Sequence, residues 1–582
     1  MVGSAGWLRV PVGVGAGRWV ARGRCRRVLL VAHNVTSATR LLDVLPLFRD
    51  DLRVQLLATC TGSSAFQGGM AELLAEVGLP VLPWEQALET PVDLAVSASL
   101  GGQLGLIRGK LAVLSHGVGY NKTLPTPDTG HRTPDTGAPV FGLSREWLLD
   151  EDGGPVADAL VLSHPEQLER LRADCPEAVP AAVLGGDPCF DRILAALPYR
   201  DRFRRALDLR DGQRLVLLNS TWNPESLFGD GGRDDDDVLP LLLRRLAADL
   251  PADEYRCAAV LHPNIWHGHG PGQIAIWLDR ARRAGLTLID PLEGWRQALI
   301  AADVLIGDFG SVSYYAAAIG TPVLLGAASL TALGAGTPVA EFISTAPRLD
   351  PYAPLAGQLE GLLSRHQPLP GPAGLTTSEP GRAAALLRHA FYRLIGIPEP
   401  DGGPALLDRL PLPPYQPPRR TAPLRVLTRI REAVPGEVAV VRRADGGPAT
   451  AGGAGWEAHT AVHEDTLDPG LLELADVIVR DGPADDPRLG SPEEWTAWVL
   501  ARHPQCALAA YATGPGSCTV RTRDGSVLRI DSGPRTADPL VFASALHAWL
   551  AGGGEAKELT TVRTGAQPHM VTVTVDGFSR PD

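Results

Sequence analysis

The chain has 582 residues, with 54 Lys plus Arg against 66 Asp plus Glu, a formal charge of −12. That balance excludes a general nucleic-acid binder, which needs a broad basic face, and confines any phosphate site to a local cluster. Seven cysteines scattered without C-x-x-C spacing exclude a disulfide framework and a zinc ribbon, and suit reduced thiols in a cytoplasmic protein.

The length predicts two similar α/β domains followed by a smaller unit. Residues 1–26 hold arginines but no acid, since the first carboxylate is Asp43. They are expected to form a disordered basic leader, with peripheral contact to an anionic membrane surface as the alternative. From residue 27 β-branched runs alternate with helical stretches: strands at 27–34, 53–60, 92–99, 110–117 and 157–163, helices at 38–48, 70–77 and 165–173. Alternation of this kind predicts parallel strands with crossover helices, here an N-terminal Rossmann-like domain over 27–205. A second such domain over 206–397 opens with LVLLNSTW at 215–222 and continues through a helix at 239–250, AAVLHPN, and a helix at 274–285. It then runs through residues 288–325, where a strand meets a tight turn at Asp308-Phe309-Gly310-Ser311 and a small-residue helix closed by Gly320. The uncharged run 309–340 is cut by Gly320, Pro322, Gly326, Gly334 and Gly336 into pieces too short for a membrane span. The segment TPDTG occurs at 126–130 and again at 133–137, and its composition predicts loop; Asp234 to Asp237 read as solvated charge. Nine prolines in residues 398–423 predict a stiff linker, which sets 424–582 apart as a small accessory domain with an Asp524-Gly525 hairpin turn and a helix at 539–550.

Several polar clusters fall at strand ends, where open α/β sheets bind ligands. Ser115-His116-Gly117 ends one strand, and His116 is placed to take a proton from an acceptor hydroxyl, Gly117 to let a ligand approach the backbone, and Lys122 to add a cation. His262-Pro263-Asn264 ends another, with His267 and His269 following in a Gly-rich loop where no carboxylate completes a metal set; no metal and no cofactor are expected. Asn219, Ser220, Thr221 and Trp222 supply hydroxyls and an aromatic face for a nucleotide base, or Trp222 covers a domain edge. At the turn from Asp308 to Ser311 the helix N-terminus predicts an anion site suited to a diphosphate-bearing donor; the bland alternative is a Ser311 cap and a loop carboxylate at Asp308.

With HG…K, STW, HP and DFGSV in this order, and GDPCFD at 186–191 between them, residues 100–330 resemble the CDP-glycerol glycerophosphotransferase family, the teichoic-acid primases and polymerases. The resemblance implies a GT-B fold, an α/β pair of Rossmann-type domains facing a cleft, with an acceptor domain first and a nucleotide-donor domain second. It implies that His116 is the base, that His262, Asp308, Gly310 and Ser311 hold donor phosphates, and that a hydroxyl attacks the β-phosphorus of a CDP-alcohol with CMP leaving. The acceptor it implies bears a hydroxyl and is a polymer or lipid-linked. The chain departs from the family pattern in HGVGYNK, one residue longer than HG-x-P-x-K and without its proline, in D-F-G-S for D-Y-S-S, and in Asn223 for an arginine. A nucleotide-sugar transferase or epimerase, or a lapsed GT-B scaffold, therefore stands as the alternative. The tail more faintly resembles the C-terminal part of ribokinase-type sugar kinases, with Arg535-Thr536-Ala537-Asp538 where those carry G-A-G-D, which predicts a small α/β or α+β module without catalytic function.

Overall fold

Runs of apolar residues each followed by a helix build sheets buried on both faces, and the chain does this twice before changing style. A computed structural model describes residues 6–123, 140–231, 237–444, 455–483, 487–488, 490–533 and 537–575. The TPDTG repeat, Asp234 to Asp236, and Arg535 with Thr536 lie outside them. The first sheet comprises β1 (Arg26–Ala32), β2 (Val54–Cys60), β3 (Val81–Leu82), β4 (Leu94–Ser97), β5 (Lys110–Val113), β6 (Ala159–Leu162) and β7 (Ala182–Leu184). All pairs are parallel, in the order β3-β2-β1-β4-β5-β6-β7. The second comprises β8 (Arg214–Ser220), β9 (Tyr255–Leu261), β10 (Thr287–Ile289), β11 (Val304–Gly307) and β12 (Val323–Leu325), again parallel, in the order β10-β9-β8-β11-β12. Each order reverses direction once, between β1 and β4 and between β8 and β11. Beyond the carboxyl ends of the strands at such a switch point the connecting loops part and leave a crevice. The two crevices face each other, which is the GT-B arrangement.

The helix Ala383–Ile395 follows the second sheet in sequence but packs on the first. Phe391 stacks on Phe48 with centroids 5.8 Å apart, and the Tyr392 hydroxyl donates to Asp51 at 2.9 Å. The basic segment expected to be disordered is tied down over its described part, where Leu8 and Gln86 exchange two hydrogen bonds of 2.7 Å. The proline-rich linker is likewise not a free spacer. It runs as a strap across both Rossmann domains: Asp408 pairs with Arg49 at 2.9 Å and accepts from Arg192 through its carbonyl, Pro411 accepts from Gln297, and the Tyr415 hydroxyl donates to the Gly294 carbonyl.

The tail differs most from expectation. Its predicted hairpin is β18 (Ser517–Thr522) with β19 (Val527–Ser532) and its predicted helix is Pro539–Ala551, yet the unit is a closed barrel and not a small α/β domain. Together with β13 (Leu424–Ile430), β14 (Glu437–Arg443), β15 (Glu457–His463), β16 (Val477–Asp481), β17 (Leu508–Gly514), β20 (Thr561–Thr564) and β21 (Gln567–Val575) it closes a nine-stranded barrel, β15 returning to β13. The helix packs into this barrel against β13, β14 and β16 to β19, and its Leu540, Val541, Phe542, Ala545 and Leu546 are buried among the strands' apolar side chains. Among the described residues no helix is long and apolar enough to cross a membrane.

Candidate active site

The facing crevices form one cavity of about 410 Å³. The structure brings His116, Gly117, Lys122, Ser220, Thr221, Trp222, His262, Gly310 and Ser311 to its wall, from segments that follow β5, β8, β9 and β11. Asp308 is the one predicted residue that does not line it.

Asp308 is wholly buried (0 % exposed) behind the wall. Its Oδ2 accepts from the Thr221 N–H at 2.7 Å, the Thr221 hydroxyl at 3.0 Å and the Leu227 N–H at 3.1 Å, and its Oδ1 from the Gly310 N–H at 3.0 Å. Burial pushes the carboxyl's pKa up while these donors pull it down. The carboxylate thus lashes the turn after β11 to the segment after β8. Two expectations change with it. The Gly310 N–H, expected to face a phosphate, is spent on Asp308. The hydroxyls expected to meet substrate are also engaged, that of Thr221 with Asp308 and that of Ser220 in donating to the Thr221 carbonyl at 2.8 Å and accepting from the Phe228 N–H at 2.9 Å. Glycine is required at 310 because a Cβ there would sit 2.4 Å from Thr221 Cγ2. With Gly310 as N-cap, the helix Ser311–Ala318 begins at the cavity, where Ser311 and Val312 line the wall, and its first N–H groups have no intrahelical acceptor.

The two histidines are held in complementary tautomers. His116 Nδ1 lies 2.9 Å from the Ala98 carbonyl, which can only accept, so Nδ1 carries the proton and Nε2 a free lone pair. His262 is the N-cap of the helix Pro263–His269, and its Nδ1 accepts from the Asn264 N–H at 3.1 Å, so its proton is on Nε2. One ring therefore presents an acceptor and the other a donor. His116 is exposed by surface area, yet it sits at the foot of a cleft walled by both domains, and that encirclement sets the direction of its pKa. Desolvation lowers it, the Ala98 carbonyl opposes, and the Lys122 charge adds to the fall. Desolvation also lowers His262, to about 3, followed by the charges of Lys122 and His116. Both rings are neutral at pH 7, with Lys122 near both.

The domains touch at the same place. The Ser311 hydroxyl accepts from the Val118 N–H at 3.2 Å, and a Cβ on Gly117 (φ +115°) would lie 2.6 Å from Ser311 Oγ. Gly117, expected to admit a ligand, instead admits the opposite domain. Trp222, 42 % exposed, meets Phe66 of the first domain edge-on with centroids 5.1 Å apart. His267 and His269 lie on a helix and not in a loop, and no group of His, Cys, Asp or Glu among the described residues has the placement to hold a metal ion.

No family model and no curated protein matches the chain. Among solved structures it is similar to the wall teichoic acid polymerase TagF at 13% identity and TM-score 0.43, over 64% of this chain and 89% of that one. It is also similar to the UDP-GlcNAc 2-epimerase from Neisseria meningitidis bound to UDP-GlcNAc, at 11% identity and TM-score 0.39, over 63% of this chain and all of that one. Anabaena HepE in complex with UDP and glucose is similar at 13% identity and TM-score 0.33, over 64% of this chain and all of that one. Likeness this distant assigns no role to any residue.

Sequence reasoning missed the other wall. The turn after β1 and the helix Val35–Val44 bring Asn34, Thr36, Thr39 and Arg40 into the cavity, joined by Trp295 from the second domain. The signal was present in HNVTSATR, a capped helix start at the carboxyl end of the first strand, in which Asn34 and Ser37 form a reciprocal capping box. Among the described residues no Asp or Glu lines the cavity, whereas Arg40 and Lys122 do. In a chain of formal charge −12, the cleft is a cationic island.

Proposed function

We propose that the chain is a transferase that moves a glycerophosphate-like group from a nucleotide-activated donor, CDP-glycerol or a relative, to a hydroxyl acceptor. One observation carries it: a cavity with two cations on its wall, no carboxylate among its described lining residues and a helix beginning at its edge holds one histidine poised to accept a proton and another poised to donate a hydrogen bond.

In this reading the acceptor O–H gives its proton to His116 Nε2 as its oxygen forms a bond to the β-phosphorus of the donor. The bond between that phosphorus and the oxygen bridging it to the nucleoside monophosphate breaks, and the leaving oxygen keeps the electron pair. Charge developing on the phosphoryl oxygens is met by His262 Nε2–H, by Lys122 and by the free N–H groups at Ser311, all fixed before the reaction begins. A neutral His116 suits the role of base, because a ring already protonated cannot take a proton. Asp308 acts as a positioning residue, holding the turn that begins the helix. Trp222 offers its face to the base of the nucleotide, with Phe66 closing against its edge.

Calorimetric titration with CDP-glycerol, CMP, UDP and UDP-sugars tests the donor. Cytidine-selective binding that weakens in Ser311→Ala and His262→Ala supports the reading; uridine selectivity transfers it to a sugar-nucleotide enzyme, and absence of binding by every nucleotide overturns it. Turnover with CDP-glycerol then tests the base: His116→Ala is expected to lose about 10²- to 10⁴-fold in kcat with donor affinity kept.

A further inference from the structure

The charge beneath the first-domain wall is unbalanced. Asp43, 1 % exposed, is shared by three guanidinium groups from three helices. Arg192 bonds one carboxylate oxygen, while Arg296 Nη2 lies 2.6 Å and Arg40 Nη1 3.2 Å from the other. The nearby Asp187 gives no second ion pair, since its Oδ2 accepts from the Tyr315 hydroxyl at 2.6 Å and its Oδ1 from the Phe190 N–H at 3.0 Å. Arg40 makes the longest of the three contacts with Asp43, and its Nε, though buried, has no hydrogen-bond partner. Its guanidinium stands over the Trp295 ring, 5.5 Å from the centroid, and its side chain lines the cavity on the His116 side. Its charge reaches His116. A guanidinium so far withdrawn from water and only partly paired is costly, and an anion that completes its fork of donors offsets that cost.

We propose that Arg40 is a specificity-determining residue: it seats an anionic group of the acceptor, a phosphate or a carboxylate, beside the hydroxyl that His116 deprotonates. The proposal rests on the transferase reading for the identity of the reaction. It assigns the anion to the acceptor because Arg40 belongs to the first domain, whereas the donor groups at His262 and Ser311 belong to the second. Arg296 and Asp43 tie this placement to closure, since Arg296 reaches Asp43 from across the cleft. With the domains together Arg192 and Arg296 hold Asp43 closely, and Arg40 keeps the longest of the three contacts and an unpartnered Nε to offer a ligand.

The test titrates sn-glycerol 3-phosphate, glycerate and glycerol into the CMP-loaded protein, and into Arg40→Gln and Arg40→Lys. The two anions are expected to bind the parent and glycerol not to bind. Arg40→Gln is expected to weaken the anions about 10- to 100-fold, with CMP affinity and melting temperature unchanged and Arg40→Lys in between. Glycerol binding as tightly as the anions, no anion binding to the parent, or equal anion binding by parent and Arg40→Gln overturns the proposal. So does loss of CMP affinity in Arg40→Gln at unchanged melting temperature, which gives Arg40 to the donor. If CMP fails to bind the parent, the donor reading falls alone, and the same titrations on the free protein still decide for or against Arg40.

Discussion

Lys122 and His116 set each other's behaviour through charge, because a cation beside the ring disfavours the imidazolium. Lys122→Met is therefore expected to raise the His116 pKa and to move the acid limb of the pH profile of kcat/KM toward higher pH. The parent should keep its rate down to about pH 4, and the variant should lose it at a higher pH that still lies below the ordinary histidine value of 6.5, because burial remains the largest cause. Histidine titration followed by NMR gives the same answer without turnover. Asp308→Asn keeps the shape but replaces one acceptor oxygen with a donor NH₂, which faces the donors of Thr221 and Leu227 or that of Gly310. A loss of about 1–3 kcal/mol in stability is expected on denaturant titration, together with weaker donor binding as the turn before Ser311 loosens. At this scale the sequence was informative about which strand ends matter and poor about what their side chains touch. His116, His262 and Ser311 could be placed at strand ends because each follows an apolar run, and all three line the same cavity. That the Thr221 hydroxyl donates to a carboxylate some 87 residues away was not legible, because nothing local shows it. Arg40 was hidden in a helix start that looked like ordinary capping.

Elements divide by how local their contacts are. Parallel strands with crossover helices repeat a pattern within a few dozen residues, so the longer strands of both sheets and the helix Met70–Val77 were legible from periodicity alone, whereas the short edge strands β3 and β7 were not. The barrel was not, because β14 pairs with β20 in parallel across more than a hundred residues, a closure no window of sequence reveals. Within it His459 lies against His547 with ring centroids 4.8 Å apart and with its Nε2 unpartnered. Burial lowers the His459 pKa to about 3, and His547 moves the same way. The folded barrel thus resists protons that the unfolded chain accepts below pH 6.5. Stability is complete above that value and falls as pH drops toward 3, by about 1.4 kcal/mol per unit from His459 alone. Denaturant titrations at pH 7 and 5 measure it, and a midpoint independent of pH contradicts the buried neutral pair. The helix Ala383–Ile395 offers a second test. Phe391→Ala empties a stacked position against Phe48 and is expected to cost about 3–5 kcal/mol.

The whole molecule carries −12 around a cleft lined by Arg40, Lys122 and no acid. The acidic exterior repels anions in general while the cleft attracts them, so nucleotide affinity should fall as salt rises and a Lys122→Met cleft should respond less steeply. The pair of parallel α/β domains was legible at this scale, but the barrel of the tail was not, and neither was the course of the proline-rich segment after residue 398. Prolines announce stiffness without saying what the stiff segment lies upon, and here Arg49, Arg192, Gln297 and Gly294 hold it along both domains. On the transferase reading, a cleft closed by Gly117 against Ser311 parts to release spent nucleotide, and parting it lifts this rail from at least one side. Departure, not chemistry, is then expected to keep the time of the cycle. Asp408→Ala with Tyr415→Phe should quicken steady-state turnover and erase a pre-steady-state burst while leaving the first turnover untouched, so the prolines that look like packaging would be the brake.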